Sequence, residues 1–68
     1  MKTVQVHRFD RVENHILEDY CNVVTDIDTD DRIMRLFGLR WGYAMFKVGD
    51  GIYENQYGEA YIVVRGKE

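Results

Sequence analysis

A chain of 68 residues has room for one domain, 1–68, built on one core. With 46% hydrophobic and 31% charged residues it has the make-up of a folded domain, and its net charge of −3 gives nucleic acid no positive surface overall. Cys21 is the one cysteine, which excludes an intrachain disulfide, and no apolar run approaches the roughly 20 residues of a membrane span.

Residues 1–8 lack the apolar region of a signal peptide, so the expected location is cytoplasmic. A core this small supplies about 3–5 kcal/mol of net stability, and such domains use disulfides, metals or a second copy as reinforcement. Without a disulfide, a homodimer is the most available of these.

In chain order, residues 3–9 alternate, with Val4 and Val6 on one side and Gln5 and His7 on the other, which predicts a half-buried strand. Asp10 with Glu13 three residues on reads as a capping box opening a helix. Over 11–27, Val12, Ile16, Leu17, Tyr20, Val23, Val24 and Ile27 fall within an arc of about 140° at helical spacing. A long helix is therefore expected there, with Asn14, His15, Glu18, Asp19, Asn22, Thr25 and Asp26 on its polar side.

A second, short helix is expected over 30–37, ended by Gly38 at positive φ. Beyond Trp41 the period becomes two. Strands are expected over 43–48, 52–55 and 60–65, joined by turns at 49–51 and 56–59. The fold expected is a small α+β domain, β-α-α-β-β-β, with an antiparallel sheet packed against one long and one short helix. Its expected core is Val4, Val6, Val12, Ile16, Tyr20, Val24, Ile27, Ile33, Leu36, Phe37, Phe46, Val48, Ile52, Ile62 and Val64.

Charge is unevenly placed. Residues 10–31 hold eight of the twelve acids against one base, Arg11, while 32–68 are mildly basic. The densest run is Asp26, Asp28, Asp30 and Asp31. Read as an EF-hand loop it lacks the glycine at position 6, where Asp31 stands, and the bidentate Glu at position 12, where Phe37 stands. The run reads better as helix punctuation, with Asp28–Arg32 and Asp31–Arg35 as i,i+4 pairs.

Catalytic chemistry finds few carriers. The chain has no serine, and Cys21 and His15 lie far apart around the expected helix, so no nucleophile meets a base. His15 and Asp19 form at most a solvated pair. His7, His15 and Cys21 lack zinc-ligand spacing, and Gly49-Asp50-Gly51 opens no helix and carries an acid, so it is a turn and no phosphate cradle. No catalytic residue, metal or cofactor is expected.

Two surfaces remain. One is an acidic helical face of Glu18, Asp19, Asp26, Asp28 and Asp30, which could imitate DNA phosphates. The other is an aromatic-basic sheet face of Tyr43, Met45, Lys47, Tyr53, Tyr61 and Arg65, with Trp41 nearby as core residue or interface anchor. The expectation is a non-enzymatic protein-binding module, an inhibitor or modulator of a partner protein, of a kind with phage-encoded host-takeover or anti-defence proteins. A nucleic-acid-binding regulator using the aromatic-basic face is the alternative, weakened by the negative charge and the lack of an RNP-like motif.

Overall fold

The computed structural model describes residues 2–65. They form β1 (Lys2–Asp10), β2 (His15–Thr25), α1 (Asp30–Trp41), β3 (Phe46–Gly49), β4 (Ile52–Glu54) and β5 (Ala60–Val64). The strands make one antiparallel sheet in the order β2-β1-β5-β4-β3, and α1 packs on one face of it. The α+β class and the antiparallel sheet are as expected. The element order is not: among the described residues there is one helix, and the segment expected as the long helix is the strand β2.

Asp10 performs the chemistry of a helix cap without a helix. Its Oδ1 accepts the backbone N–H of Val12 at 2.9 Å and of Glu13 at 3.0 Å. These bonds close a turn instead, and Asn14, at φ 59°, takes the left-handed conformation that reverses the chain. Residues 15–25 then run back along β1. Pairing is regular from Lys2↔Thr25 to His7↔Tyr20, but the next pair is Phe9↔Ile16. Over that interval β1 advances two residues and β2 advances four, so β2 bulges across Leu17, Glu18 and Asp19. The helical period is misleading because Ile16, Tyr20 and Val24, spaced by four, also share one face of a strand, while Val23 lies on the other. The β-branched Ile16, Val23, Val24 and Thr25 suit a strand, and pairing with β1 along its length decides the matter.

The helix α1 opens after Thr29, whose carbonyl accepts the Ile33 N–H at 3.0 Å, with Asp30 and Asp31 in its first turn. Ile33, Met34, Phe37 and Gly38 are buried against the sheet. The helix continues four residues past its expected end. Gly42, at φ 73°, is the left-handed terminator, and the Gly38 carbonyl accepts the Tyr43 N–H at 2.8 Å. Gly38 serves a different purpose: a Cβ there would lie 2.7 Å from the Tyr43 carbonyl oxygen and 2.9 Å from Met45 Cγ. Close approach of the returning chain, not positive φ, requires glycine at 38.

Asn55 organises the loop between β4 and β5. Its side-chain oxygen accepts the N–H of Tyr57 and of Glu59, both at 3.0 Å, while its amide donates to Glu59 Oε1 at 2.8 Å. The core comprises Val4, Val6, Val23, Ile33, Met34, Phe37, Tyr53, Tyr61 and Val63, with Cys21, Ile27, Tyr43 and Met45 packed at its margin. Of the expected core, Val4, Val6, Ile33 and Phe37 are buried and Ile27 packs against them. Val12 stands out on the hairpin turn at 93% exposure, Leu36 is on the outer side of α1, and Ile16, Tyr20, Val24, Phe46 and Val48 are exposed. Among the described residues no helix is long and apolar enough to cross a membrane.

Candidate functional site

Side chains on a strand alternate between faces, so the register assigns every residue of the sheet. Facing α1 are Val4, Val6 and Arg8 of β1, Cys21, Val23 and Thr25 of β2, Tyr53 of β4, and Tyr61 and Val63 of β5. The opposite face carries the apolar Phe9, Ile16, Tyr20, Val24, Phe46, Ile52, Ala60, Ile62 and Val64 together with Thr3, Gln5, His7, Asn22 and Glu54. This inverts the sequence expectation for β3 to β5. Phe46, Ile52, Ile62 and Val64, expected in the core, line the uncovered face. Tyr43, Met45, Tyr53 and Tyr61, expected to be presented outward, pack under the helix.

The uncovered face is the most unusual surface of the molecule. Ile16 is 45% exposed, Tyr20 54%, Val24 59% and Phe46 57%. Ile52, Ile62 and Val64 are half-buried only by their neighbours in the sheet. Tyr20 stacks on His7 across β2 and β1 with ring centroids 5.0 Å apart. His7 is held in place by its ring nitrogens: Nδ1 lies 2.8 Å from the Leu17 carbonyl and Nε2 2.8 Å from the Gln5 side chain. Among the paired positions of this face, Glu54 alone carries a formal charge, and the Arg11 guanidinium neutralises it at 2.5 Å. Gln5 and His7 of β1 lie between the apolar residues of β2 and those of β5, so polar groups divide a surface whose exposed apolar side chains suit docking.

The helix side holds an aromatic cluster. Phe37 meets Tyr61, Tyr43 and Trp41 at centroid distances of 5.0, 6.0 and 6.5 Å, and Tyr43 stacks on Tyr61 at 6.1 Å. The Arg8 guanidinium lies over the Tyr61 ring at 5.8 Å. Tyr53 donates its hydroxyl to Asp31, and burial together with that bond pushes its pKa up to about 12. Burial likewise raises the Tyr61 hydroxyl, which donates to Glu59. The side-chain bond from Asn55 holds the Glu59 carboxyl below its ordinary value. Tyr53 and Tyr61 are therefore structural, and neither can stack on a nucleic-acid base. Of the expected aromatic-basic set, Trp41, Lys47 and Arg65 are exposed. Trp41 sits in the last turn of α1 under the Arg40 guanidinium, and Arg65 pairs with Asp30 at 2.7 Å.

The acidic residues do not form a helical face. Glu18 and Asp19 lie in the β2 bulge, Asp26 and Asp28 in the connection to α1, and Asp30 in its first turn. The expected helical pairs give way to partners from distant strands. Asp28 pairs with Lys2 at 3.0 Å in place of Arg32, and Asp31 accepts from Tyr53 in place of pairing with Arg35. Thr29, at the N-cap, makes no side-chain capping bond, and what survives of the expectation is the pair of carboxylates, Asp30 and Asp31, in the helix's first turn. His15 and Asp19 are no longer helical neighbours, because a strand bulge separates them. Among the described residues no three His, Cys, Asp or Glu side chains converge as a metal site would require.

No family model, curated protein or solved structure matches the chain. The residues of the uncovered face were all visible as apolar positions in the sequence. What misplaced them is that β5, Ala60–Val64, is apolar at every position, so parity alone could not say which side the helix takes. An apolar run on both parities is itself the sign of a strand that wants cover on both faces.

Proposed function

We propose that this protein is a small non-enzymatic protein-binding module, which modulates a partner protein by occupying its surface. The observation that supports the reading is the uncovered sheet face: Ile16, Tyr20, Val24 and Phe46 stand exposed beside Phe9, Ile52, Ile62 and Val64, with Thr3, Gln5, His7 and Asn22 among them and one neutralised charge. Aromatic and large aliphatic side chains on a rigid sheet make an anchor surface at little entropic cost.

The test uses a partner captured on immobilised protein, then purified and titrated by calorimetry. Phe46→Lys should weaken its binding at least tenfold, and Leu39→Lys, on the exposed side of α1, should leave it unchanged. Equal binding by wild type and Phe46→Lys would remove the sheet face from the function.

A further inference from the structure

The helix side of the sheet carries a cleft of its own, between the last turn of α1, the β1 residues Val6 and Arg8, and the bulge of β2. We propose that this cleft binds a free aromatic α-amino acid, with Arg8 on the carboxylate, Asp19 on the ammonium group and the ligand's ring against the cluster around Trp41.

The cleft measures about 210 Å³. Sites for drug-sized ligands span roughly 300–1,000 Å³, so this one suits a ligand with a single ring. Its wall is aromatic: Phe37, Trp41, Tyr43 and Tyr61 all line it. Phe37 and Tyr61 are buried, while Trp41 is 52% exposed and leaves ring surface open to a further ring.

Two charged side chains line the cleft, one base and one acid. The register of β1 with β2 jumps between His7 and Phe9, so Arg8 is the β1 residue that stands opposite the bulge and Asp19. Among the described residues the two are not paired with each other, and Asp19 has no ion pair at all. Arg8 Nε is the one buried side-chain nitrogen or oxygen among the described residues without a hydrogen-bond partner. Leaving such a donor unmet is costly. Glu59, 3.9 Å from Arg8 Nη1, lies beyond hydrogen-bond reach. A carboxylate set side-on to the guanidinium would accept from Nε and a terminal nitrogen together, the two-pronged contact that arginine makes best. A plain aromatic anion would set its charge near that of Asp19, and a cation would leave Nε unmet. A zwitterion bearing one ring matches the base, the acid and the aromatic wall together.

Trp41 is the chain's one tryptophan, so its fluorescence reports on the cleft directly. Titrating the full chain with L-phenylalanine should shift Trp41 emission and saturate at about millimolar concentration or below. Phenylpropionate lacks the ammonium group and phenethylamine lacks the carboxylate, so each should bind about tenfold more weakly or worse. Arg8→Gln and Asp19→Asn should each weaken phenylalanine binding by about tenfold or more, and Lys47→Gln, on β3, should leave it unchanged. Circular dichroism checks that the variants fold, and the ligand series on the wild type decides the matter even where Arg8→Gln does not. A wild type whose emission ignores phenylalanine at tens of millimolar would overturn the site. Phenylpropionate or phenethylamine binding as tightly as phenylalanine would overturn the amino-acid assignment, as would a folded Arg8→Gln or Asp19→Asn that binds like wild type. None of these results bears on the sheet-face reading, because Phe46, whose substitution tests that reading, lies outside the cleft.

Discussion

Replacing Gly38 by alanine sets two opposed effects against each other, and the structure says which wins. Within a helix the change should stabilise by about 1 kcal/mol, because glycine spends more backbone freedom on folding. At 38, however, the new methyl would lie 2.7 Å from the Tyr43 carbonyl oxygen. That oxygen belongs to the backbone, and the same residue's N–H is tied to the Gly38 carbonyl at 2.8 Å, so it cannot recede alone. Relief to an ordinary 3.4 Å contact demands a movement of about 0.7 Å in the connection that places Tyr43 against Phe37 and Tyr61. Overpacking of this kind costs about 1–3 kcal/mol, or more where backbone must move. The net expectation is destabilisation by up to about 2 kcal/mol. For a domain of this size each kcal/mol lowers Tm by about 4–8 °C, well within reach of a thermal melt followed by circular dichroism. A Gly38→Ala variant that melts at or above the wild-type temperature would refute the close approach and the helix exit built on it.

Three further outcomes follow from the same contacts. Tyr53 is raised to about 12 in the folded protein against about 10 unfolded, so its contribution is full below pH 10 and lost as pH climbs towards 12. Urea titrations between pH 9 and 12 should show the wild type losing on the order of 2 kcal/mol more than Tyr53→Phe, and parallel curves would contradict the assignment. Asn55→Ala removes the bonds that hold the loop between β4 and β5, and should cost about 2–3 kcal/mol in chemical denaturation, with little change counting against that role. Asp28→Asn and Asp30→Asn break exposed or half-exposed ion pairs with Lys2 and Arg65, so each should cost no more than about 1 kcal/mol, and a larger loss would mean the acidic run is structural beyond these pairs.

How much of this was legible in the sequence depended on whether local chemistry or distant pairing decided a segment. Alternation in β1, the turns at Gly51 and Gly58, and a helix through Ile33 and Phe37 are local matters and were readable. The pattern of Asp10 predicts a helix cap, whereas its bonds to the Val12 and Glu13 N–H groups close a turn, because a helix start and a tight turn use the same bonds. The difference lies in Asn14, which takes the left-handed conformation a turn needs. The β2 segment misleads because a spacing of four, Ile16, Tyr20 and Val24, fits one face of a helix and one face of a strand alike. The inversion of the sheet faces has a different origin. Both parities of β5 are apolar, so the choice rests on which side α1 docks, a relation between segments that no single window contains. The candidate surface was thus present in the sequence as a list of apolar residues, filed in the core.

The central claim is that the sheet face opposite α1 meets another protein. A photo-crosslinking amino acid placed at Tyr20, on that face, and separately at Leu39, on α1, tests it most directly at working protein concentration. A protein adduct is expected from position 20, whether to a second copy or to a partner, and none from position 39. Adducts from 39 alone, or equal adducts from both, would contradict it.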